Sequence, residues 1–259
     1  MGRPVTIGPQ RLVALVTGAS RQIGIGAAIA LGLAADGWNV ATTYWRRYDA
    51  AMPWGSNAAD VERLDEQLRA LGAATASVEA NLADVESPAR VFSLVESRLG
   101  PVTALIMAHC QSVDSGFLDT TVESFDLHFA VNARATWLLI REFGLRYTSD
   151  PPGRGRIISI TSDHTDGNLP YGASKGAMDR ITLAAAREFA HLRISANVIN
   201  PGATDTGWMS AEQMAAWSRQ VPLGRVSTPQ DCANLVRFLC SEQGGWINGQ
   251  LLHSNGGAR

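Results

Sequence analysis

Seven short apolar runs recur along the chain, at 12–16, 40–43, 76–79, 104–107, 156–160, 195–199 and 250–253, with amphipathic or Ala/Leu-rich stretches between them. None alternates strictly between apolar and polar residues, so each reads as a strand covered on both faces. Strands of this kind separated by helices pair in parallel through right-handed crossovers. The expected fold class is therefore α/β, a doubly wound seven-stranded parallel sheet flanked by helices. Helix signals agree at 25–34, at 60–71 before Gly72, at 88–99 before Gly100 and at 174–190. The Gly/Pro-rich stretch 149–155 reads as a surface turn rather than a linker. At 259 residues, 46% of them hydrophobic, the chain is expected to form one domain over 1–259.

The formal net charge of -2 offers no field for nucleic acid or an anionic membrane, so small molecules and a second copy of the chain are the expected partners. Cys110, Cys232 and Cys240 form no C-x-x-C pair and no zinc spacing, so no metal and no disulfide framework is expected. The run at 12–16 is too short for a signal-peptide core or a membrane span, and a cytoplasmic location is expected.

The segment from Thr17 to Gly26 follows the first strand and opens the first helix, the context in which glycines let a backbone approach a pyrophosphate. Gly18, Ser20, Arg21, Gln22, Ile23 and Gly24 are the candidate cofactor contacts there. Gln22 stands where such turns commonly carry glycine; either its backbone angles suit a side chain or the loop is shifted, with Gly26 partly compensating. A fold that selects NAD usually offers Asp or Glu after the second strand. Here that strand ends at Tyr44 and is followed by Arg46 and Arg47, which with Arg21 suit a 2′-phosphate, so NADP(H) is favoured over NAD(H). Asp49 is the alternative, as a ribose acid. Asn81 and Leu82, after the third strand, are placed beside the adenine. The long apolar stretch 47–57, with Met52-Pro53-Trp54-Gly55, folds over the cofactor or packs on a neighbouring subunit.

Tyr171 and Lys175, at i and i+4, share a face of the long helix. An ammonium beside a phenol favours the phenolate and lowers its pKa, which lets Tyr171 exchange a proton with a substrate oxygen. Ser162 ends the 156–161 strand, on the sheet edge where ligands gather, and its hydroxyl can hold that oxygen.

With these residues in view, the chain resembles the short-chain dehydrogenase/reductase family over nearly its whole length, and its fold is then Rossmann-type. The motifs that carry the likeness are the Thr17 to Gly24 turn, Ser162 and Tyr171-Gly172-Ala173-Ser174-Lys175. Val131-Asn132 is similar to the helix asparagine that completes the family's catalytic set by holding a water in the lysine relay. Asn200-Pro201-Gly202, with Thr204 and Thr206, is similar to the loop that meets the nicotinamide. Val221 to Arg225 and the ending 248–257 resemble the 3-oxoacyl-(acyl-carrier-protein) reductase branch. Three features differ: Gln22; Met107-Ala108-His109-Cys110 in place of N-N-A-G; and a shortened interval between Ser162 and Tyr171. They bear on substrate and cofactor fit and leave the relay residues in place.

Residues 206–221, with Trp208, Met209, Met214 and Trp217, resemble the family's mobile substrate lid; Met and Trp at helical spacing also commonly just pack. Asp163, His164 and His109 are further polar residues that could contact substrate, although loop polars of this kind more often satisfy backbone or water. Cys110 reads as an inert thiol. The resemblance implies an NADPH-dependent ketoreductase acting on a 3-oxoacyl thioester or related ketone, assembled as a homo-oligomer, dimer or tetramer. Two other readings stand beside it: a dehydrogenase of a polyol, sugar or specialised-metabolite alcohol, and a non-catalytic NADP-binding regulatory protein.

Overall fold

A computed structural model describes residues 11–148 and 153–258. Residues 149–152 of the expected surface turn, and the ends of the expected 1–259 domain, lie outside the described residues. The seven strands are β1 (Val13–Thr17), β2 (Asn39–Tyr44), β3 (Thr75–Glu79), β4 (Val102–Met107), β5 (Arg156–Ile160), β6 (Ser195–Asn200) and β7 (Leu251–His253). They form one sheet in the order β3-β2-β1-β4-β5-β6-β7, every pairing parallel.

The period-2 pleat splits β1 between two cores. Ala14 and Val16 face a layer built by α1 (Ile25–Ala35), α3 (Ala59–Ala70) and α9 (Pro229–Cys240), among them Ile29, Leu33, Leu64, Leu68 and Val236. Val13 and Leu15 face the opposite layer of α4 (Ser87–Leu99), α6 (Ala135–Arg146) and α7 (Leu169–Glu188), with Phe92, Leu139 and Phe143. Covering on both faces is what removed the alternation from the strand sequences. Among the described residues, no helix is long and apolar enough to cross a membrane.

Strand order reverses between β1 and β4, which opens the crevice at their carboxyl ends that ligands of such sheets use. Beyond the four helices that carried their own sequence signals, the structure adds, among the described residues, α6, α9, two short 3-10 turns and four further helical segments. Three of them are α2 (Arg46–Ala51), α5 (Val122–His128) and α8 (Ala211–Ser218), and the fourth is a π-helical turn at Phe129–Arg134 that joins α5 to α6. The long helix α7 starts at Leu169, ahead of the expected residue 174, because Pro170 in its first turn fixes a helical φ and needs no hydrogen-bond acceptor for an N–H. Tyr171 and Lys175 are therefore both helical.

Candidate active site

The turn after β1 is shaped for close approach. Gly18 has φ +75°, and a Cβ there would sit 2.6 Å from the His109 backbone, so neither the angle nor the space admits a side chain. No side chain caps the start of α1, which leaves its first amides open towards the turn. Gln22 is accommodated without strain: among described residues Arg193 is the one non-glycine with positive φ. Its carboxamide reaches out of the turn and donates to the Asp60 carbonyl at 2.6 Å, tying the turn to α3. Backbone angles that suit a side chain thus answer the question Gln22 raised. A glycine held against neighbouring backbone and a row of unclaimed helix amides fit the pyrophosphate of a dinucleotide.

The three arginines are placed differently. Arg46 is held by Glu79 through a two-pronged ion pair, 2.6 and 3.2 Å, and lies 5.7 Å over the Tyr44 ring. Arg21 donates to the Thr206 carbonyl at 2.7 Å and stands 4.5 Å over the Trp54 ring; burial draws its guanidinium pKa down. Arg47 is exposed at the same edge. Ser20, Arg21, Gln22 and Ile23 line a cavity of about 470 Å³ together with Asp49 and Trp54. Leu82 is buried after β3, and the Asn81 side chain accepts from the Ala83 amide at 3.1 Å, shaping that turn.

At the other end of the crevice, Lys175 is buried and its Nζ donates to the Ile160 carbonyl at 2.8 Å, 5.7 Å from the Tyr171 ring centroid. Burial pushes the Tyr171 phenol above its ordinary value, with Cys110 adding to the rise, while the hydrogen-bonding Ser162 hydroxyl pulls it back. Burial likewise draws the Lys175 ammonium down. Lysine was expected to lower the phenol's pKa; the largest influence on it is burial, which raises it.

Asn132 is fully buried within the π-helical turn, where its amide and carbonyl pair with the Gln111 backbone at 2.9 and 2.7 Å and its amide also donates to Ser174 at 2.9 Å. Its own carbonyl accepts from the Thr136 hydroxyl at 2.8 Å. The side chain therefore ties the π-helical turn to α7 and to the loop after β4, while the backbone carbonyl takes the bond from α6.

His109 does not face substrate. It is buried, with Nδ1 accepting from the Thr17 hydroxyl at 2.7 Å and Nε2 donating to the Val131 carbonyl at 3.0 Å. It staples the ends of β1 and β4 to the residue before Asn132. Burial pushes its pKa down to about 3, so the ring is neutral.

The shortened loop before α7 lies hard on the helix: a Cβ at Gly172 would run into the His164 carbonyl. The His164 ring stands edge-on to Tyr171, centroids 6.3 Å apart. Asn168 hooks the loop across the crevice, donating to the Ser112 hydroxyl at 3.0 Å and the Asp114 carboxylate at 2.6 Å. Asp163 is exposed, and burial holds the Cys110 thiol above its usual range.

In the loop after β6, Pro201 is buried and Thr204 donates to the Gly202 carbonyl at 3.1 Å; the Thr206 carbonyl meets Arg21. The helix α8, within the expected lid, buries none of its residues, so Met214 and Trp217 are not core. Asn168, Asn132's π-helical surroundings and the meeting of Trp54 with Trp208 were beyond sequence reasoning, since each depends on partners distant in the chain.

A family model described as "Enoyl-(Acyl carrier protein) reductase" matches residues 18–259. The chain is 34% identical to "Uncharacterized oxidoreductase YjdA" of Bacillus subtilis (strain 168) over 96% of its own length and 97% of that protein's. A dehydrogenase/reductase crystal structure from Sinorhizobium meliloti 1021 superposes with TM-score 0.84 at 31% identity, covering 96% of this chain and 95% of that one. A blue fluorescent protein from a metagenomic library, solved in complex with NADPH, superposes with TM-score 0.82 at 30% identity, covering 95% and 97%.

Proposed function

The chain belongs to the short-chain dehydrogenase/reductase family of NAD(P)-dependent oxidoreductases, and on that premise we propose that it is an NADPH-dependent reductase that converts a ketone to a secondary alcohol. The observation that carries this is the half-buried Tyr171 phenol set beside the Ser162 hydroxyl, with the Lys175 ammonium 5.7 Å from its ring centroid and fixed by the Ile160 carbonyl. A protonated phenol is the form that donates to a carbonyl oxygen as it gains a hydride.

The bound cofactor supplies the hydride. Gly18, Ser20, Arg21, Gln22, Ile23 and Gly24 hold its pyrophosphate, Tyr44, Asn81 and Leu82 its adenosine, and Pro201, Gly202, Thr204 and Thr206 its nicotinamide, with Tyr171 and Lys175 beside the ribose. Ser162 holds the substrate oxygen so that the Tyr171 hydroxyl aligns with it. Tyr171 then releases its proton to that oxygen. Lys175, fixed by the Ile160 carbonyl, steadies the phenolate left behind, and Asn132 keeps the relay residues in register.

Preference for NADPH rests chiefly on the exposed Arg47, since Arg46 is already engaged by Glu79 and Arg21 by the Thr206 carbonyl and the Trp54 ring; the structural relative complexed with NADPH supports the same choice. The substrate class is a 3-oxoacyl thioester or related ketone, under an apolar lid at 206–221. The exposed apolar residues Phe117, Leu118 and Trp137 near α5 and α6, and Trp246 and Leu251 near β7, support self-association as a dimer or tetramer. Free thiols at Cys110, Cys232 and Cys240 suit a reducing cytoplasm.

The test is titration with NADPH and NADH, followed by oxidation of the bound nucleotide on adding a panel of 3-oxoacyl thioesters and ketones. NADPH binding with turnover, lost about 10²–10⁴-fold in Tyr171→Phe while binding persists, is the expected result. Full turnover by that variant overturns the mechanism.

A further inference from the structure

The connection between β2 and α3 is far longer than the few residues such turns need, and the structure places it across the crevice. The Tyr48 hydroxyl donates to the Ser112 carbonyl at 3.2 Å, beyond β4, so the segment passes over the end of β1. Asp49 is buried beneath it and accepts from Trp54 Nε1 at 3.0 Å, which orients the indole.

Trp54 then meets two partners from opposite sides of the crevice. Arg21, in the dinucleotide turn, stands 4.5 Å over its ring, and Trp208, at the root of the lid, stacks on it with centroids 5.0 Å apart and planes 12° from parallel. The lid root is docked on the turn at the same point. Gly207, at φ +78°, lies so close that a Cβ would sit 2.8 Å from Ile23 and 3.1 Å from the Arg21 guanidinium. Turn, crossing segment and lid thus converge on one stack, over a cavity of about 470 Å³ lined by Ser20, Arg21, Asp49, Trp54, Asn57 and Gly207.

We propose that Trp54 is a positioning residue that latches the dinucleotide groove shut: carried across by residues 45–57, its indole binds Arg21 of the turn to Trp208 of the lid, and the cofactor leaves only when this stack opens. The reading rests on the proposed cofactor site. Two features make the stack the point of release. The helix α8 buries nothing and Trp208 is itself 44% exposed, so the lid root is held at this point by the Trp54 stack and by the hydrogen bond from Arg21, the same arginine, to the Thr206 carbonyl. An aromatic pair joined to a cation–π contact is also of a strength that forms and breaks in a catalytic cycle. The Trp54 stack further joins the Tyr48 contact to Ser112, whose hydroxyl takes the Asn168 amide from the loop before Tyr171. Closure at the cofactor end is thereby linked to the loop that borders the substrate.

The test measures NADPH release by stopped-flow displacement, reading nicotinamide fluorescence, in wild type, Trp54→Ala, Trp208→Ala, the double variant and Trp54→Phe. Each single alanine variant is expected to release NADPH about tenfold faster, equivalent to about 1.4 kcal/mol. The double variant is expected to be no faster than the faster single, and Trp54→Phe to recover most of the retention. A readout without cofactor accompanies it: hydrogen exchange at 45–57 accelerates in Trp208→Ala, although that substitution is remote in sequence. Unchanged release in both alanine variants, additive effects, or exchange at 45–57 that ignores Trp208→Ala overturns the latch. Wild-type protein that takes up neither NADPH nor NADH overturns the functional reading and the latch with it, whereas binding with unchanged release overturns the latch alone.

Discussion

His109 makes the stability of this protein sensitive to mild acid, and the size of the effect follows from its surroundings. Its Nδ1 accepts the Thr17 hydroxyl, and the ring lies buried within reach of the Lys175 charge, so protonation would cost an acceptor and place a second cation in the interior. Its pKa falls from 6.5 to about 3 on folding. Between those values the unfolded chain binds the proton and the folded one does not, so stability is full above the unfolded value and is lost as pH falls through it. The loss is about 1 kcal/mol at pH 5.5 and grows to about 3 kcal/mol at pH 4.5. For a chain of this size the first figure lowers Tm by about 2–4 °C. His109→Gln keeps an acceptor and a donor but cannot titrate. Urea unfolding of both proteins at pH 7.5 and 5.5 gives the comparison: wild type loses about 1 kcal/mol more than the variant over that interval. His128, whose pKa burial also lowers, is present in both proteins and cancels. Parallel losses in the two proteins would refute a neutral, buried His109.

A raised phenol pKa means that Tyr171 stays protonated through neutral pH, so the reductive rate is expected to be flat across that range and to fall only above about pH 10; an apparent pKa near 7 in kcat would give control of the phenol back to Lys175. Two glycines on α7 predict opposite outcomes. Gly172→Ala pushes a methyl into the His164 carbonyl and is expected to cost about 1–3 kcal/mol and to depress kcat by displacing the loop, whereas exposed Gly176 has open space around it and Gly176→Ala is expected to add about 0.5–1 kcal/mol; thermal melts and turnover rates of the two variants decide. Gln22→Gly removes the hydrogen bond from the turn to Asp60, and faster hydrogen exchange at the start of α3 is its expected sign, with no change there counting against the tether.

Much of this architecture was legible in the sequence because its causes are local. Each strand is buried on both faces, so residues 13–17 or 156–160 announce themselves as apolar runs wherever they sit. The spacing of Tyr171 and Lys175 likewise needs nothing but helical geometry. The arginines show where that kind of reading stops. Composition after β2 pointed to a 2′-phosphate, but Glu79, on the neighbouring strand, takes Arg46, and Trp54 takes the face of Arg21. Cross-chain partners decide what a charged side chain is free to do. For the same reason His109 looked like a possible substrate contact and is a buried staple, and nothing in the stretch 47–57 itself signalled that Trp54 meets Trp208.

The π-helical turn at Phe129–Arg134 carries a consequence for how the site can be altered. A single π turn amounts to one residue more than an α-helix needs. Deleting one residue there would let α5 run into α6 as an unbroken helix, and the two parts would rotate by about 100° against each other. The helix would gain regular hydrogen bonds, yet Asn132 would swing away from Gln111 and Ser174. This corner of the active site is thus written in the length of the chain as much as in its letters. A collection of point substitutions would sample Asn132 and leave the register untouched, while a library of single-residue deletions would reach it directly.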